Sequence, residues 1–203
     1  MIKRGKFWFP DDDNHFNGSD YQTPHRKESL SHCDSFVAAI DIGAHVGTWT
    51  VDLQEQFFKV YAFEPVKKHV ECFLKNVDTS NVDLFVCALG DEAGDITLSY
   101  AQSGNSGTSA IMDGGEYTAS VCTLDSFQFE SIDYIKIDVE GFELQVLKGA
   151  AETIKSNRPV INIEVKNTCE RFGYKQEDIL DYLKELGMQP VGRTVDDWVW
   201  KYV

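Results

Sequence analysis

Apolar and polar residues follow two alternating patterns from residue 36 to the end of the chain. Apolar runs of strand length are each followed by a stretch in which apolar residues recur at the spacing of a helix face. The predicted strands span residues 36–42, 59–63, 82–89, 96–100, 134–139 and 159–165, with two more between 188 and 203. The predicted helices span residues 46–57, 66–77, 144–154 and 179–186.

The order of these elements predicts an α/β fold. Strands that alternate with helices form a mostly parallel sheet with helices on both faces, and the last two strands, which turn at Asp196 and Asp197, indicate an antiparallel C-terminal edge. Residues 101–115 are rich in Gly, Ser and Asn and are predicted to form a long loop. Residues 1–35 show little periodicity, so we expect an N-terminal extension followed by one domain over residues 36–203.

Length and charge limit the function classes. The 203 residues suffice for one sizeable domain. A net charge of −14 counts against nucleic acid and anionic membranes as partners, because phosphate binding needs clustered Lys and Arg. The sequence has no long apolar run, so no membrane span is expected. The five cysteines include no C-x-x-C pair and no apolar segment follows the basic N-terminus, which favours a cytoplasmic protein.

A glycine turn follows the first strand of the domain. Gly43 and Gly47 allow a tight turn in which a ligand approaches backbone amides at the start of a helix. Their G-x-x-x-G spacing departs from the dinucleotide pattern G-x-G-x-x-G. Asp41, just before the turn, suits an ammonium group better than a pyrophosphate. A tight connection without a ligand is the alternative interpretation.

Glu64 ends the second strand. In nucleotide-binding α/β folds an acidic residue at about this position binds ribose, because two carboxylate oxygens can accept both hydroxyl groups. An exposed glutamate before the turn at Pro65 is the alternative. Combined with the glycine turn, Glu64 indicates a ligand that carries a ribose.

Ionisable residues interrupt two strands that are expected at the centre of the sheet. Lys136, Asp138 and Glu140 share one face of the predicted strand 134–139 and of the residue that follows it. In the predicted strand 159–165, the polar Asn162 and the ionisable Glu164 alternate with apolar residues. Central parallel strands are normally apolar on both faces, so these groups need a partner or a function. A buried ion pair, such as Lys136 with Glu164, and a reaction centre formed by the three acids both stay open.

Three segments resemble the FkbM-type S-adenosylmethionine (SAM)-dependent methyltransferases. They are IDIGAHVG at residues 40–47, YAFEP at 61–65 and IDYIKIDVEGFE at 132–143, and weaker agreement extends the resemblance over about 36–166. The resemblance implies a class I, Rossmann-like sheet of seven strands, the seventh antiparallel, with SAM as methyl donor. It also implies methylation of a hydroxyl group on a sugar, a lipid or another small-molecule acceptor.

The family pattern assigns cofactor contacts by position. The implied set comes from the glycine turn and the following strand ends: Asp41, Gly43, Ala44, His45, Gly47, Glu64, Pro65, Ala88, Leu89 and Asp138. In this pattern Glu64 binds the ribose hydroxyls, and Ala88 and Leu89 flank the adenine. His45 departs from the pattern, because this position is often a smaller or amide residue.

A hydroxyl acceptor needs a general base beside the reacting methyl group. Asp138 and Glu164 are the first candidates, followed by Glu140 and His45. A magnesium ion on Asp138, Glu164 and Asn167 is an alternative, since oxygen ligands suit a hard cation. We take the metal-free site as the prediction.

The N-terminal segment 8–16 mixes aromatic and acidic residues and is predicted to form an ordered loop. With residues 101–115 it is a candidate lid, and its candidate substrate contacts are Trp8, Asp11, Asp13 and His15. A solvated acidic tail is the alternative. Two other functions stay open. One is a nicotinamide-dependent oxidoreductase, which the glycine spacing and Asp41 disfavour, and the other is a binding module without catalysis.

Overall fold

The computed structural model describes residues 1–16 and 22–203. Its strands are β1 (Ile2–Arg4), β2 (Phe7–Phe9), β3 (Ala38–Ile42), β4 (Lys59–Phe63), β5 (Val82–Phe85), β6 (Ala88–Leu89), β7 (Gly94–Tyr100), β8 (Ser109–Ile111), β9 (Tyr117–Cys122), β10 (Ile132–Ile137), β11 (Val160–Glu164), β12 (Gln189–Arg193) and β13 (Asp197–Lys201). Its α-helices are α1 (Thr23–Leu30), α2 (Thr50–Gln56), α3 (Lys67–Asn76), α4 (Glu143–Lys148), α5 (Ala151–Asn157) and α6 (Gln176–Glu185).

Seven strands form the main sheet in the order β12-β13-β11-β10-β3-β4-β5. The five strands from β11 to β5 are parallel to one another, and β13 is antiparallel to both β11 and β12. The predicted α/β, Rossmann-like, seven-stranded sheet is therefore confirmed. The antiparallel C-terminal strand lies one place inside the edge, which β12 occupies.

Alternating side chains of the central strands pack into two apolar cores, one on each face of the sheet. Ile40 and Ile135 pack with residues of α4, α5 and α6. Ala39 and Tyr134, their neighbours along the strands, pack with residues of α1, α2 and α3. Since side chains in a strand point to opposite faces in turn, strands buried on both faces read as continuous apolar runs. This explains why the sequence predicted the central strands well.

A second sheet, with the order β6-β9-β7-β8, was not predicted as such. The predicted strand 82–89 is two strands, because the chain leaves the main sheet after β5 and β6 pairs with β9. The predicted antiparallel strand 96–100 is confirmed as the greater part of β7. The predicted loop 101–115 contains a short 3₁₀ turn, Ser106–Thr108, and the strand β8.

The N-terminal segment has more regular structure than its sequence predicted. β1 and β2 form an antiparallel hairpin, and α1 begins with a proline in its first turn. Trp8 and Phe9 belong to β2, so the predicted loop over 8–16 is wrong at its start. Residues 17–21 of the predicted extension lie outside the described residues. In the part of the chain that the structure describes, no helix has the length and apolarity needed to cross a membrane.

Gly149 separates α4 from α5, which the sequence predicted as one helix. A side chain at this position would place its Cβ atom 1.9 Å from the carbonyl oxygen of Gly90. The absence of a side chain at Gly149 thus lets the connection after β6 approach the helix pair.

Candidate active site

A cleft of about 350 Å³ opens where the carboxyl ends of β3, β4, β10 and β11 meet. The second sheet and the N-terminal segment supply its other walls. This position is where α/β sheets of this kind bind ligands, outside the carboxyl ends of the strands. Its volume lies in the range of small-molecule and cofactor pockets.

The glycine turn closes directly on the end of β10. Gly43 has a φ of 76°, and a Cβ atom there would lie 1.9 Å from the carbonyl oxygen of Asp138. Only glycine fits this approach. Gly47, with a φ of 90°, instead faces Phe73 of α3 and Val77 just after that helix, and it is not part of the cleft wall.

Asp41 lies beneath the turn and does not line the cleft. Its Oδ2 accepts a hydrogen bond of 2.6 Å from the Thr50 hydroxyl. Its Oδ1 lies 3.5 Å from Nζ of Lys136, which also donates to the carbonyl oxygen of Gly43 at 2.9 Å. The structure thus places Lys136 where the sequence suggested a ligand ammonium group, because the buried carboxylate needs a cation within the protein.

Glu64 is buried at the base of the cleft, with 4% of its surface exposed, so the alternative of an exposed glutamate is wrong. Its Oε1 accepts hydrogen bonds from the Val66 backbone amide at 2.9 Å and from Nδ1 of His69 at 3.0 Å. Its Oε2 accepts one from the His45 backbone amide at 2.8 Å. The remaining predicted cofactor residues that line the cleft are Gly43, Ala44, His45, Pro65, Ala88, Leu89 and Asp138.

The structure brings three of the four predicted catalytic residues together. Asp138, Glu140 and Glu164 each contribute a carboxylate oxygen to a group whose members lie within 4.8 Å of one another, and all three line the cleft. We call them the acid trio. His45 lies apart from this group, against His69, with ring centroids 4.5 Å apart.

Burial and mutual repulsion alter the charge state of the acid trio. Burial, followed by repulsion from Asp138, raises the pKa of Glu140 to about 7 and that of Glu164 to about 9. Carboxylates that interact this closely titrate as a unit. The trio therefore exchanges a proton in the neutral range, which is what a general base for a hydroxyl group requires.

Two lysines compensate the acid trio. Nζ of Lys136 lies 3.6 Å from Asp138, and Nζ of Lys166 lies 2.6 Å from Glu164. The sequence left open a buried ion pair such as Lys136 with Glu164. The observed pairs are Lys136 with Asp138, and Lys166 with Glu164, which lies two residues before it in the chain. Asn167, the third ligand of the magnesium alternative, begins a 3₁₀ turn and does not line the cleft.

Of the four candidate substrate residues, two line the cleft. They are Asp13 and His15. Trp8 and Asp11 do not. Phe7 and Phe9 fill the inward positions of β2, so alternation turns Trp8 away from the cleft, and Asp11 is exposed in the turn after the strand. The Trp8 ring lies near Nζ of Lys3 and of Lys75 instead.

Asp13 joins the N-terminal segment to both the second sheet and the glycine turn. It is buried, with 2% of its surface exposed, and Arg4 pairs with it at 3.1 Å. Its Oδ2 accepts hydrogen bonds from the backbone amide and the hydroxyl of Ser106. Ser106 Oγ lies 2.8 Å from Nε2 of His45. The alternative of a solvated acidic tail is therefore wrong for this part of the segment.

Sequence reasoning missed Ser106, His69 and Lys166 as residues of the site. The sequence carried a weak signal for two of them, because His69 follows Glu64 at the start of a helix and Lys166 follows the anomalous Glu164. Ser106 carried none, since it lies 61 residues from its partner His45 within a Gly- and Ser-rich stretch.

Comparison with known proteins supports a methyltransferase fold. The hexuronic acid methyltransferase AglP of Haloferax volcanii is 28% identical over 151 residues, covering 71% of this chain and 60% of the relative. The crystal structure of a methyltransferase FkbM from Methylobacillus flagellatus superposes with a TM-score of 0.56 at 18% identity, covering 82% of this chain and 44% of the other. The chain thus spans about 60% of its curated relative.

A third similar structure contains a ligand. It is a putative methyltransferase from Streptococcus mutans in complex with SAH, with a TM-score of 0.54 and 15% identity, covering 90% of this chain and 96% of the other. At these identities the two structures show the fold. The sequence itself shows more than the fold, because residues 41–190, most of the chain, match the methyltransferase FkbM domain. This chain belongs to the FkbM methyltransferase family.

Proposed function

We propose that this chain is a SAM-dependent methyltransferase that methylates a hydroxyl group of a sugar or similar small molecule. One observation carries the proposal. A single cleft holds a glycine turn and a buried glutamate at the ends of β3 and β4, and an acid trio at the ends of β10 and β11. The first pair suits a nucleoside, and the trio suits proton removal from an acceptor.

The residues of the cleft fit SAM. Gly43 lines the cleft at the start of the turn, and Glu64 keeps a free acceptor position on Oε2 for a ribose hydroxyl. Ala88 and Leu89 give an apolar wall beside Glu64, as an adenine ring requires. The similar structure of the Streptococcus mutans protein contains SAH, the product that SAM leaves, and this supports SAM as the cofactor.

SAM, when bound, supplies a methyl group on an electrophilic sulfonium. The chain's own residues have two tasks, to align the acceptor hydroxyl and to accept its proton. The acid trio accepts the proton, because its crowded carboxylates bind one readily near neutral pH. Lys136 and Lys166 hold Asp138 and Glu164 in place and limit the repulsion between them.

A sugar acceptor is supported by the relative AglP, whose name describes a hexuronic acid methyltransferase. His15 is exposed and lines the cleft, so we assign it to the acceptor side. The N-terminal segment 1–16 and the connection around Ser106 cover the cleft together, as the backbone amide of Asn14 bonds to the carbonyl oxygen of Gly104 at 2.8 Å. We propose that they form its lid.

The test is SAH production from SAM with hexuronic acid glycosides and neutral glycosides as acceptors. We expect turnover with the wild-type chain and a loss of at least a hundredfold for Asp138→Asn, since general base catalysis contributes on the order of a hundredfold or more. Asp133→Asn is the matched control, because Asp133 bonds to backbone amides at the opposite end of β10. SAM binding without turnover on any acceptor would favour a binding module instead.

A further inference from the structure

Glu64 has too few free acceptor positions for both hydroxyl groups of a ribose. Each carboxylate oxygen offers about two lone pairs. On Oε1 both are used, by the Val66 amide and by Nδ1 of His69. On Oε2 one is used, by the His45 amide. One position remains, so the second hydroxyl of a bound ribose needs another acceptor.

Asp13 and Ser106 determine which ring nitrogen of His45 carries its proton. Burial alone would raise the pKa of Asp13, but hydrogen bonds from Ser106, Phe16 and His15 outweigh it and lower that pKa below its ordinary value. The ionised Asp13 only accepts, so the Ser106 hydroxyl donates to it. Ser106 Oγ must then accept from His45, and Nε2 of His45 carries the proton.

This arrangement leaves Nδ1 of His45 as an acceptor. Burial, with His69 and Lys136 nearby, lowers the pKa of His45 well below its ordinary value, so the ring is neutral. Within residues 1–16 and 22–203, Nδ1 makes no hydrogen bond, and the His45 side chain lines the cleft. Nδ1 is also the ring nitrogen nearer to the residue's own backbone, whose amide binds Oε2 of Glu64. One open acceptor thus belongs to His45, and the other to the carboxylate that the His45 amide binds.

We propose that His45 accepts one ribose hydroxyl of the cofactor through Nδ1, while Oε2 of Glu64 accepts the other. Asp13 and Ser106 are positioning residues, since they act only by fixing the proton on Nε2. This inference rests on the proposed use of SAM. It makes the N-terminal segment, which precedes the matched family region 41–190, part of the nucleoside site.

Calorimetric titration with SAH, 2′-deoxy-SAH and 3′-deoxy-SAH tests the proposal. In the wild-type chain both deoxy analogues bind about tenfold more weakly than SAH, because each leaves one acceptor unpaired. In His45→Phe, SAH itself binds about tenfold more weakly, and one of the two analogues binds as tightly as SAH. The missing hydroxyl of that analogue has no partner in the variant, which is the coupling that a double-mutant cycle measures.

His32→Phe is the matched control, because His32 lies outside the cleft and pairs with Glu28. It should keep the wild-type affinities. Suppose that each analogue binds more weakly than SAH by the same factor in His45→Phe as in the wild-type chain. The inference is then overturned, while SAM binding stands. If the wild-type chain binds no SAH at all, the proposed function fails first and the inference fails with it.

A measurement on the wild-type chain keeps the test independent of whether His45→Phe folds. Long-range ¹H–¹⁵N NMR reports which histidine nitrogen carries a proton. We expect His45 with its proton on Nε2, a mixture of both tautomers in Ser106→Ala, and a several-fold weaker affinity of that variant for SAH. A proton on Nδ1 in the wild-type chain would overturn the inference.

Discussion

Glu164 is a single residue whose protonation links the acid trio to the stability of the fold. Its pKa rises from an ordinary value of 4.5 to about 9 in the folded chain, through burial first and repulsion from Asp138 second, although Lys166 lies 2.6 Å away. The folded state thus holds a proton that the unfolded state releases. A raised carboxyl pKa gives stability that is complete below about pH 4.5 and is lost as pH rises toward 9.

Replacing Glu164 with glutamine should reduce the loss of stability with rising pH, because glutamine does not titrate. We expect Glu164→Gln to show a smaller decrease in the free energy of unfolding between pH 5 and pH 9 than the wild-type chain, measured by urea denaturation at a series of pH values. Glu55→Gln, at an exposed position of α2, should follow the wild-type curve. Parallel curves for Glu164→Gln and the wild type would contradict this account of the acid trio.

Gly43 makes a second prediction at the scale of one residue. An alanine there combines a positive φ with a Cβ atom 1.9 Å from the backbone of Asp138, so Gly43→Ala should destabilise the fold by about 3 kcal/mol. Gly94→Ala is the matched control, since a Cβ atom at Gly94 meets nothing within 4 Å and should change stability by less than about 0.5 kcal/mol. Equal midpoints of thermal unfolding for Gly43→Ala and the wild-type chain would contradict the close approach of Gly43 to the Asp138 backbone.

Elements differ in how far the sequence predicts them, for a physical reason. β4 was predicted with its observed bounds, because the four residues after Lys59 form an unbroken apolar run, as is typical of a strand within a parallel sheet. β6 and β8 are two and three residues long and gain their order from partners in other strands. The hairpin of β1 and β2 likewise has a partner in α3, where Asn76 bonds to the backbone of Trp8. Periodicity reports local burial, so it does not detect elements that are fixed by distant contacts.

The same limit applies to the candidate site. The glycine turn, Glu64 and the acid trio follow strands directly, so the edge of a parallel sheet brought them together as predicted. The link from Asp13 to Ser106 joins residues 93 apart, and no local pattern connects the two. The position of Asp41 also depends on tertiary structure, since its partner Lys136 comes from a neighbouring strand.

Asn76 attaches the N-terminal hairpin to α3 and gives a prediction at the scale of elements. Its side chain bonds to the backbone amide and carbonyl of Trp8, at 2.7 and 2.9 Å, and to the carbonyl of Val46 at 2.8 Å. We expect Asn76→Ala to speed hydrogen exchange across residues 2–9 and to weaken SAH binding several-fold, because Phe7 and Phe9 line the cleft.

Asn81→Ala is the matched control for that experiment. Asn81 also bonds to two backbone carbonyls, those of Gln54 and Phe57, but on the connection that follows α2. Its replacement should destabilise the fold without a selective effect on residues 2–9. Unchanged exchange of the hairpin in Asn76→Ala would show that apolar packing alone holds it.

The whole molecule combines a family fold with a cleft that segments outside the central strands complete. The seven-stranded sheet supplies the glycine turn, Glu64 and the acid trio. The second sheet and the N-terminal hairpin then bring Ser106 and Asp13 onto His45. Affinity for the cofactor is therefore expected to depend on segments that contribute nothing to the central sheet.

Net charge gives the prediction that belongs to the whole chain. With 33 acidic and 19 basic residues, the chain carries a charge of −14 and repels a polyanion at long range. We expect no binding of a transfer RNA or of duplex RNA at micromolar protein concentration and physiological salt, measured by fluorescence anisotropy. A hexuronic acid oligosaccharide is the matched probe, since it is also anionic but small enough to respond to the local surroundings of the cleft rather than to the net charge of the chain. Tight RNA binding that weakens steeply with added salt would contradict the small-molecule acceptor and indicate a basic surface that net charge conceals.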